Sequence, residues 1–339
     1  MSRPSLLPRA KLRDVLAGDA PLIGARADSQ APRGLISPVE ARHRLGLAYG
    51  DPRIEERSRL ADRTFFTDVS TVVRTALAQP FPAPIKGGRP RPFIVSSRVD
   101  ALTVAAAVDA IAASHDLPRA RLVWFVHPHA LNLAVIDRAH AERLERADLV
   151  LPDGVGTRIA AAVVGTPLRH NINGTDLLPL LCAALATSGR PLSLVGGAKG
   201  VARAAADRLV REHPGLRLGV VEHGFLDDAR AAELRDELRN GEPSVVLVGM
   251  GSPRQEEFAL RWLGDLPGST VVTVGGLFDF FSGRAERAPV VCRELGLEWA
   301  YRMLREPRRL GPRYILGNPV FLALAVLQRW GVCVVPAKR

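Results

Sequence analysis

From Phe93 onward the chain repeats one unit: a short apolar run, a turn, then a stretch with helical periodicity. Runs rich in Val, Leu and Ile occupy 93–97, 122–126, 149–151, 192–195, 216–221, 245–248 and 271–274. Helical stretches cover 101–113, 130–146, 201–212, 228–239 and 254–262. Strands separated by helices of that length cannot pair as hairpins. They return through crossovers, which build a mostly parallel sheet with helices on both faces. The expected fold is therefore α/β, with a mostly parallel Rossmann-like sheet, and no internal repeat stands out.

Residues 1–90 read differently. Prolines and arginines are frequent, apolar periodicity is weak, and the stretch from Pro80 to Pro92 has the composition of a linker. Short helices are expected around 38–47 and 67–78, inside a variable and partly disordered extension. Three cysteines, Cys182, Cys292 and Cys333, stand far apart with no CxxC spacing. That argues against a disulfide framework or a thiolate zinc site and fits a reducing compartment. The first residues lack an apolar core of signal-peptide length before Pro8. No run of about 18 apolar residues occurs, and the longest late candidate, 319–327, stops at Gln328 and Arg329. A cytoplasmic location is expected.

The formal net charge is +11, supplied almost wholly by arginine. The guanidinium fork pairs with phosphate, so such a surface attracts nucleic acid, anionic headgroups or phosphorylated substrates. A genomic arginine bias produces the same excess. Aromatics are only 5% of the chain, too few to interleave with arginine as base-stacking platforms. That weighs against a nucleic-acid-binding protein.

In open parallel sheets, ligands bind beyond the carboxyl ends of the strands. Nearly every Gly- or Asp-bearing turn falls there: Pro152-Asp153-Gly154, Gly196-Gly197, His223-Gly224-Phe225, Gly249-Met250-Gly251 and Gly275-Gly276. Glycine between strand and helix lets backbone amides approach a phosphate, and it equally serves tight packing of the helix on the strand. Neither glycine pair has P-loop or dinucleotide spacing. Gln255, at the start of the helix after Ser252-Pro253, suits either an ordinary helix opening or the reading of a ribose or sugar hydroxyl. Asp153 occupies a turn where aspartate is common for turn reasons alone, but its place at the ligand edge makes it the leading carboxylate. Thr175 or Asp176 suits a helix N-cap. Asp227 and Asp228 read as a helix opening rather than a metal pair. His127 and His129 flank Pro128 without further ligands at zinc spacing. No metal and no cofactor is expected.

Together these motifs resemble the WecG/TagA/CpsF family of glycosyltransferases (glycosyltransferase family 26), from about Phe93 to Trp330. The likeness is carried by Ala147-Asp-Leu-Val-Leu-Pro-Asp-Gly154, Asn173-Gly-Thr-Asp-Leu177, Leu194-Val-Gly-Gly197, His223-Gly-Phe225, Val248-Gly-Met-Gly-Ser-Pro-Arg-Gln-Glu256, Val274-Gly-Gly-Leu-Phe-Asp279, Gly283 with Arg287-Ala-Pro289, and Gly296-Leu-Glu-Trp-Ala-Tyr-Arg302 with Glu306-Pro-Arg-Arg309. It implies a metal-independent, inverting transferase of bacterial cell-envelope or exopolysaccharide biosynthesis. Such an enzyme takes a UDP-sugar and extends a saccharide on a polyprenyl diphosphate at the inner face of the plasma membrane. It implies Asp153 as general base and a donor pocket drawn from Gly196, Gly224, Phe225, Gly249, Gly251, Gln255, Gly275 and Asp279. It places His127, Asn171, Thr175 and Asp176 near the sugar or acceptor. It adds a helical, basic C-terminal appendage in which Arg302, Arg305, Arg308 and Arg309 meet the membrane and the acceptor diphosphate. The resulting division is 1–90 extension, 91–290 α/β domain and 291–339 appendage, and a homo-oligomer is compatible with it.

The chemistry agrees with that assignment, because displacement at an anomeric carbon needs a base for the acceptor hydroxyl and counter-charge for the departing diphosphate. The apolar stretch 321–327 beside the arginines suits interfacial binding or packing against a core. Two departures stand out. Phe125 and His127 replace a Thr-x-Asn pair common in the family, and Asn171 stands where an arginine is frequent. His127 then serves as a hydrogen-bond partner in place of asparagine, or in proton transfer. The competing readings are a UDP-hexose transferase of a late exopolysaccharide step and a basic nucleic-acid-binding protein.

Overall fold

Apolar runs buried on both sides read as unbroken hydrophobic strings, and that is how the strands of this chain lie. The computed structural model describes residues 10–25, 31–40, 42, 52–61, 63–78, 91–168, 172–289, 292 and 297–332. The described elements begin with the helices α1 (Leu12–Leu16), α2 (Pro52–Ala61) and α3 (Phe65–Ala78), followed by a hairpin of β1 (Phe93–Ile94) and β2 (Ser97–Arg98). Next come α4 (Val104–Ala112), β3 (Arg121–Val126), α5 (Pro128–Ile136), α6 (Arg138–Glu145), β4 (Leu149–Pro152), α7 (Val155–Val164) and α8 (Gly174–Ser188). The second half holds β5 (Leu192–Gly196), α9 (Val201–Glu212), β6 (Leu218–Glu222), α10 (Asp228–Asn240), β7 (Val245–Gly249), α11 (Arg254–Phe258), β8 (Thr270–Thr273) and α12 (Leu277–Phe281). Three helices end the described chain: α13 (Glu298–Arg305), α14 (Pro307–Ile315) and α15 (Gly317–Arg329).

The sheet runs β4-β3-β8-β7-β5-β6, and every neighbouring pair is parallel. Side chains alternate along each strand. Val123, Phe125, Leu194, Leu247 and Val272 enter one core with residues of α4, α8, α9 and α12. Leu122, Trp124, Val126, Val195, Val246, Val248 and Val271 enter a second core with residues of α5, α6, α7, α10 and α15. Trp124 is fully buried, and its indole N–H donates to the carbonyl of Arg143 at 3.0 Å. The connection from β5 leads away to β6, whereas β7 leads the opposite way to β8. A crevice therefore belongs at the carboxyl ends of β5 and β7.

Several expectations change. Residues 93–97 are not a strand of the main sheet but part of the antiparallel β1–β2 hairpin. Val95 turns the chain with φ 58°, and its amide donates to Gln328 Oε1 at 2.7 Å instead of to a neighbouring strand. The outer edge of β4 is closed by Asp100, whose Oδ2 accepts from Val150 N at 2.8 Å and whose own amide donates to Val150 O at 2.7 Å. The helix expected over 130–146 breaks at Asp137, which caps α6 by accepting from His140 N at 3.1 Å. The stretch 254–262 is α-helical only to Phe258 and continues as a π-helical turn over Ala259–Leu263.

In the N-terminal region the helix near 67–78 is present as α3, α2 was not foreseen, and most of 38–47 lies outside the described residues. Ile23, Ala25 and Val39 are buried there, and Ser37 Oγ donates to the buried Glu56 carboxylate at 2.6 Å.

At the C-terminal end the stretch Leu310–Arg329 is long and apolar enough to cross a membrane by length and composition, with mean hydropathy 1.4. A turn at Leu316 interrupts it, and Phe321 and Ala325 are buried against the α/β body. Core packing thus accounts for the apolar side of 321–327.

Gly196 is the tightest point of the sheet's rim. A Cβ there would lie 2.3 Å from the Gly249 carbonyl oxygen, and its φ is 149°. Gly196→Ala is expected to destabilise the protein by about 3 kcal/mol, the sum of overpacking and backbone strain. A urea midpoint unchanged from wild type would contradict this close approach.

Candidate active site

The carboxyl ends of the six strands form one rim, and most of the residues singled out from the sequence stand on it. Pro152 ends β4 opposite Val126 of β3, so Asp153 and His127 are neighbours across about 5 Å of strand spacing. The Asp153 amide donates to Val126 O at 2.8 Å, and its carbonyl accepts from Thr157 Oγ1 at 3.1 Å. These two bonds fix the turn and leave the carboxyl group free to face the rim. The Gly275 turn lies two strands away and the Gly249–Gly251 turn three, about 10 and 15 Å at the backbone. That interval suits a nucleotide sugar with its diphosphate at the glycine turns and its sugar near the carboxylate.

Burial pushes the Asp153 carboxyl up to about 6. Glu298 pushes it further up, Arg302 and Arg313 pull it down, and Asp176 adds a smaller push upward. At pH 7 the group is ionised in roughly nine molecules of ten, yet it is basic enough to accept a proton. The charges that set this balance come largely from outside the sheet. Glu298 and Arg302 belong to α13 and Arg313 to α14, so the C-terminal helices stand over the Asp153 turn. Glu298 also accepts from Asn173 Nδ2 at 3.3 Å, which ties α13 to the start of α8.

His127 is held well below the ordinary imidazole range, first by burial and then by Arg313, His129 and Arg302. Its ring is therefore neutral at pH 7. Nδ1 accepts from Ala130 N at 3.1 Å as the N-cap of α5, which leaves the proton on Nε2. The side chain offers the site a single N–H donor. His129 stacks beside it, ring centroids 6.0 Å apart.

Thr175 and Asp176 do not cap α8, as the sequence had suggested. Asn173 is the cap, its Oδ1 accepting from Thr175 N at 3.1 Å and from Thr175 Oγ1 at 2.9 Å. A short amide side chain one residue outside the helix reaches these donors without bending the first turn. Thr175 is buried, and Asp176 is ion-paired with Arg287. Asn171 lies outside the described residues.

The glycines on the rim fall into two kinds. At Gly196, Gly224 and Gly249 the backbones of adjacent turns press together: a Cβ on Gly224 would meet Gly196 Cα at 3.1 Å, and one on Gly249 would meet Gly275 O at 2.9 Å. Gly251 and Gly275 have left-handed backbone, φ 77° and 58°, and open space where a Cβ would stand. Gln255 joins these last two. Its buried Oε1 accepts from Gly251 N at 3.2 Å and Gly275 N at 2.9 Å, while Nε2 donates to Glu256 Oε1 at 2.9 Å and Ser252 Oγ at 3.3 Å. All four hydrogen-bonding positions of the amide are taken by the protein. Gln255 thus pins the turns after β7 and β8 to each other. Asp279 is half-buried on α12, with Arg284 at 3.9 Å. Phe225 is 67% exposed at the far end of the rim, under the Arg254 guanidinium at 5.4 Å from the ring centroid.

Among the appendage arginines, Arg302 lies over the Phe280 ring at 5.0 Å, Arg305 pairs with Glu286 and Tyr301, and Arg308 is exposed. The Arg309 side chain lies outside the described residues, although its backbone continues α14. Glu298 and Arg313 had no role in the sequence reading. Glu298 sits inside the Gly296-Leu-Glu-Trp motif, and that motif was the only signal that could have drawn attention to it. Among the described residues no group of three or more His, Cys, Asp or Glu is placed to hold a metal ion.

The family described as glycosyl transferase WecG/TagA/CpsF matches residues 93–332. The chain belongs to that family. A Bacillus spizizenii protein named N-acetylglucosaminyldiphosphoundecaprenol N-acetyl-beta-D-mannosaminyltransferase is 34% identical over 185 residues, covering 55% of this chain and 70% of its own. Proteins of the same name from Bacillus subtilis (28% over 203 residues, 60% and 77%) and Staphylococcus aureus (29% over 201 residues, 58% and 76%) are also similar. The chain is therefore a glycosyltransferase. The WecG/TagA/CpsF match begins at β1 and extends past α15, so the helices standing over Asp153 lie inside the family region and α1–α3 outside it.

The Gln255 tie carries its own expectation. Gln255→Ala would take the acceptor from two part-buried amides and one of two donors from Glu256 Oε1, which keeps Ser252 Oγ, at a cost of about 2 kcal/mol. A variant as stable as wild type in thermal unfolding would show that the amide does not hold these turns.

Proposed function

We propose that this glycosyltransferase moves a sugar from a UDP-sugar to a saccharide on a polyprenyl diphosphate, by direct displacement with inversion and without a metal. The names of its relatives favour an N-acetylmannosamine-type donor sugar and an N-acetylglucosaminyl-diphosphoundecaprenol-type acceptor. The observation that carries the reading is the Asp153 carboxyl, raised to about 6 and neighboured by Glu298, Arg302, Arg313 and Asp176. Ionised Asp153 takes the proton from the acceptor hydroxyl as its oxygen bonds the anomeric carbon. The bond from that carbon to the UDP oxygen breaks, and UDP leaves with the electron pair. Arg302 and Arg313 supply counter-charge where water is thinned, and the His127 Nε2–H donates to a sugar or acceptor oxygen. Phe225 and the open ground at Gly251, Gly275 and Asp279 would take the nucleotide.

The acceptor's lipid places the reaction at a membrane surface, in cell-envelope or exopolysaccharide assembly at its cytoplasmic face. Support for peripheral docking comes from the C-terminal helices. Leu304, Ile315, Leu316, Val320 and Trp330 are exposed there, with Arg305 and Arg308 among them.

Asp153→Asn is expected to lower turnover by at least about 10²-fold with UDP affinity nearly intact. Transfer of radiolabelled sugar to a lipid acceptor, alongside UDP binding by calorimetry, reads both, and wild-type turnover would remove the base assignment. The pH profile tests the charge balance. Activity should rise from acid through an inflection near pH 6 as Asp153 ionises. Because Glu298 opposes that ionisation, Glu298→Gln should move the inflection to lower pH. An unmoved inflection would dissociate Glu298 from Asp153.

A further inference from the structure

His140 is wholly buried, and no step of the proposed reaction uses it. It stands on α6 one turn before Leu144, on the side that faces the second core. Neither ring nitrogen completes a hydrogen bond with the described residues, and both are shut off from solvent. Glu256 of α11 is wholly buried too. Its Oε1 accepts from Gln255 Nε2 at 2.9 Å and from Ser252 Oγ at 2.7 Å, whereas its Oε2 has no partner among the described residues. A polar atom buried in that state forfeits about 1–3 kcal/mol. Folded proteins avoid the loss by hydrogen bonding, directly or across an internal water.

The surroundings of the ring say which partner it takes. Arg143 of α6 pairs with Glu257 of α11 at 3.4 Å, so the two helices lie side by side at the level of His140 and Glu256. Burial lowers the proton affinity of the ring; Glu256 opposes this more than Asp137 or the Ala130 carbonyl does, and Arg143 adds to the lowering. Asp137 is already engaged as the cap of α6, accepting from His140 N at 3.1 Å. Glu256 Oε2 is left. A carboxylate only accepts, so the end of the Gln255 amide that meets Glu256 is its NH2. That choice turns Gln255 Oε1 toward Gly251 N and Gly275 N, at 3.2 and 2.9 Å. The setting of the Glu256 carboxylate therefore decides how the two turns are joined. We propose that His140 is a positioning residue for the donor nucleotide: a ring N–H donates to Glu256 Oε2, and the carboxylate so fixed aims Gln255 at the turns after β7 and β8. That these turns take UDP rests on the reaction proposed above.

The test compares His140→Phe, which removes both nitrogens, with His140→Asn and His140→Gln, whose amides stand near the places of Nδ1 and Nε2. UDP affinity is read by calorimetry, and hydrogen exchange of the Gly251 and Gly275 amides by NMR without UDP. In His140→Phe the affinity should fall about tenfold, the scale lost when the group behind a ligand-holding side chain is removed. The two amides should exchange at least about tenfold faster, as expected for a local loosening of the turns. At least one amide variant should restore both. Wild-type affinity and exchange in His140→Phe would overturn the proposal. So would equal losses in all three variants, which would reduce His140 to its shape. Should the phenylalanine variant not fold, the wild type labelled with ¹⁵N-histidine decides: the His140 ring N–H should resonate downfield and exchange slowly, and an upfield, unbonded N–H would overturn the bond. If the wild type does not bind UDP, the donor reading falls, and the amide exchange still decides the role of His140.

Discussion

Burial of the sheet on both faces governs where this protein can do chemistry. With helices covering each side, polar groups can gather only at the strand ends, and the crossovers give all the carboxyl ends to the same rim. Asp153, His127 and the turns holding Gly275, Gly251, Gly249 and Gly196 are placed by that constraint before any of them interacts. The order β4-β3-β8-β7-β5-β6 then spaces them, with the carboxylate toward one edge and the glycine turns over the centre. In the proposed reaction this separation keeps the carboxylate charge away from the leaving phosphates.

The rim alone does not set the state of Asp153. Burial raises its proton affinity, and the groups that adjust it are Glu298, Arg302 and Arg313 from α13 and α14, together with Asp176. Acid and base from the same pair of helices pull in opposite directions, so the carboxyl settles near neutrality instead of far above or below it. The site is therefore complete only when those helices are packed. Phe321 and Ala325 in the second core, Asn132 donating to Gly317 O at 2.8 Å, and the Gln328 bonds to β1 provide that packing.

Strand and helix periodicity made most of this architecture readable in the sequence, because the double burial leaves unbroken Val and Leu runs that little else explains. The hairpin at Phe93 is not legible because the five residues 93–97 look the same whether or not they join the main sheet, and only the distant Gln328 decides. The break at Asp137 was hidden because one aspartate ends a helix and starts the next. The carboxylate turn was legible from Pro152-Asp153-Gly154. Its regulators were not, because Glu298 and Arg313 come near Asp153 only through the docking of helices more than a hundred residues away. Gln255 was recognised as important, whereas its internal bonding became visible only once Gly251 and Gly275 were seen to converge on it.

That convergence separates two functions that glycine-rich turns usually blur. Gly196, Gly224 and Gly249 need to be small because neighbouring backbones touch, so their role belongs to the fold. Gly251 and Gly275 have room beside them and need glycine for a left-handed backbone, and their amides are already spoken for by Gln255. The two turns form a surface fixed in advance by one buried amide group, not loops that must organise around a ligand. The same group links the turn after β7 to the turn after β8.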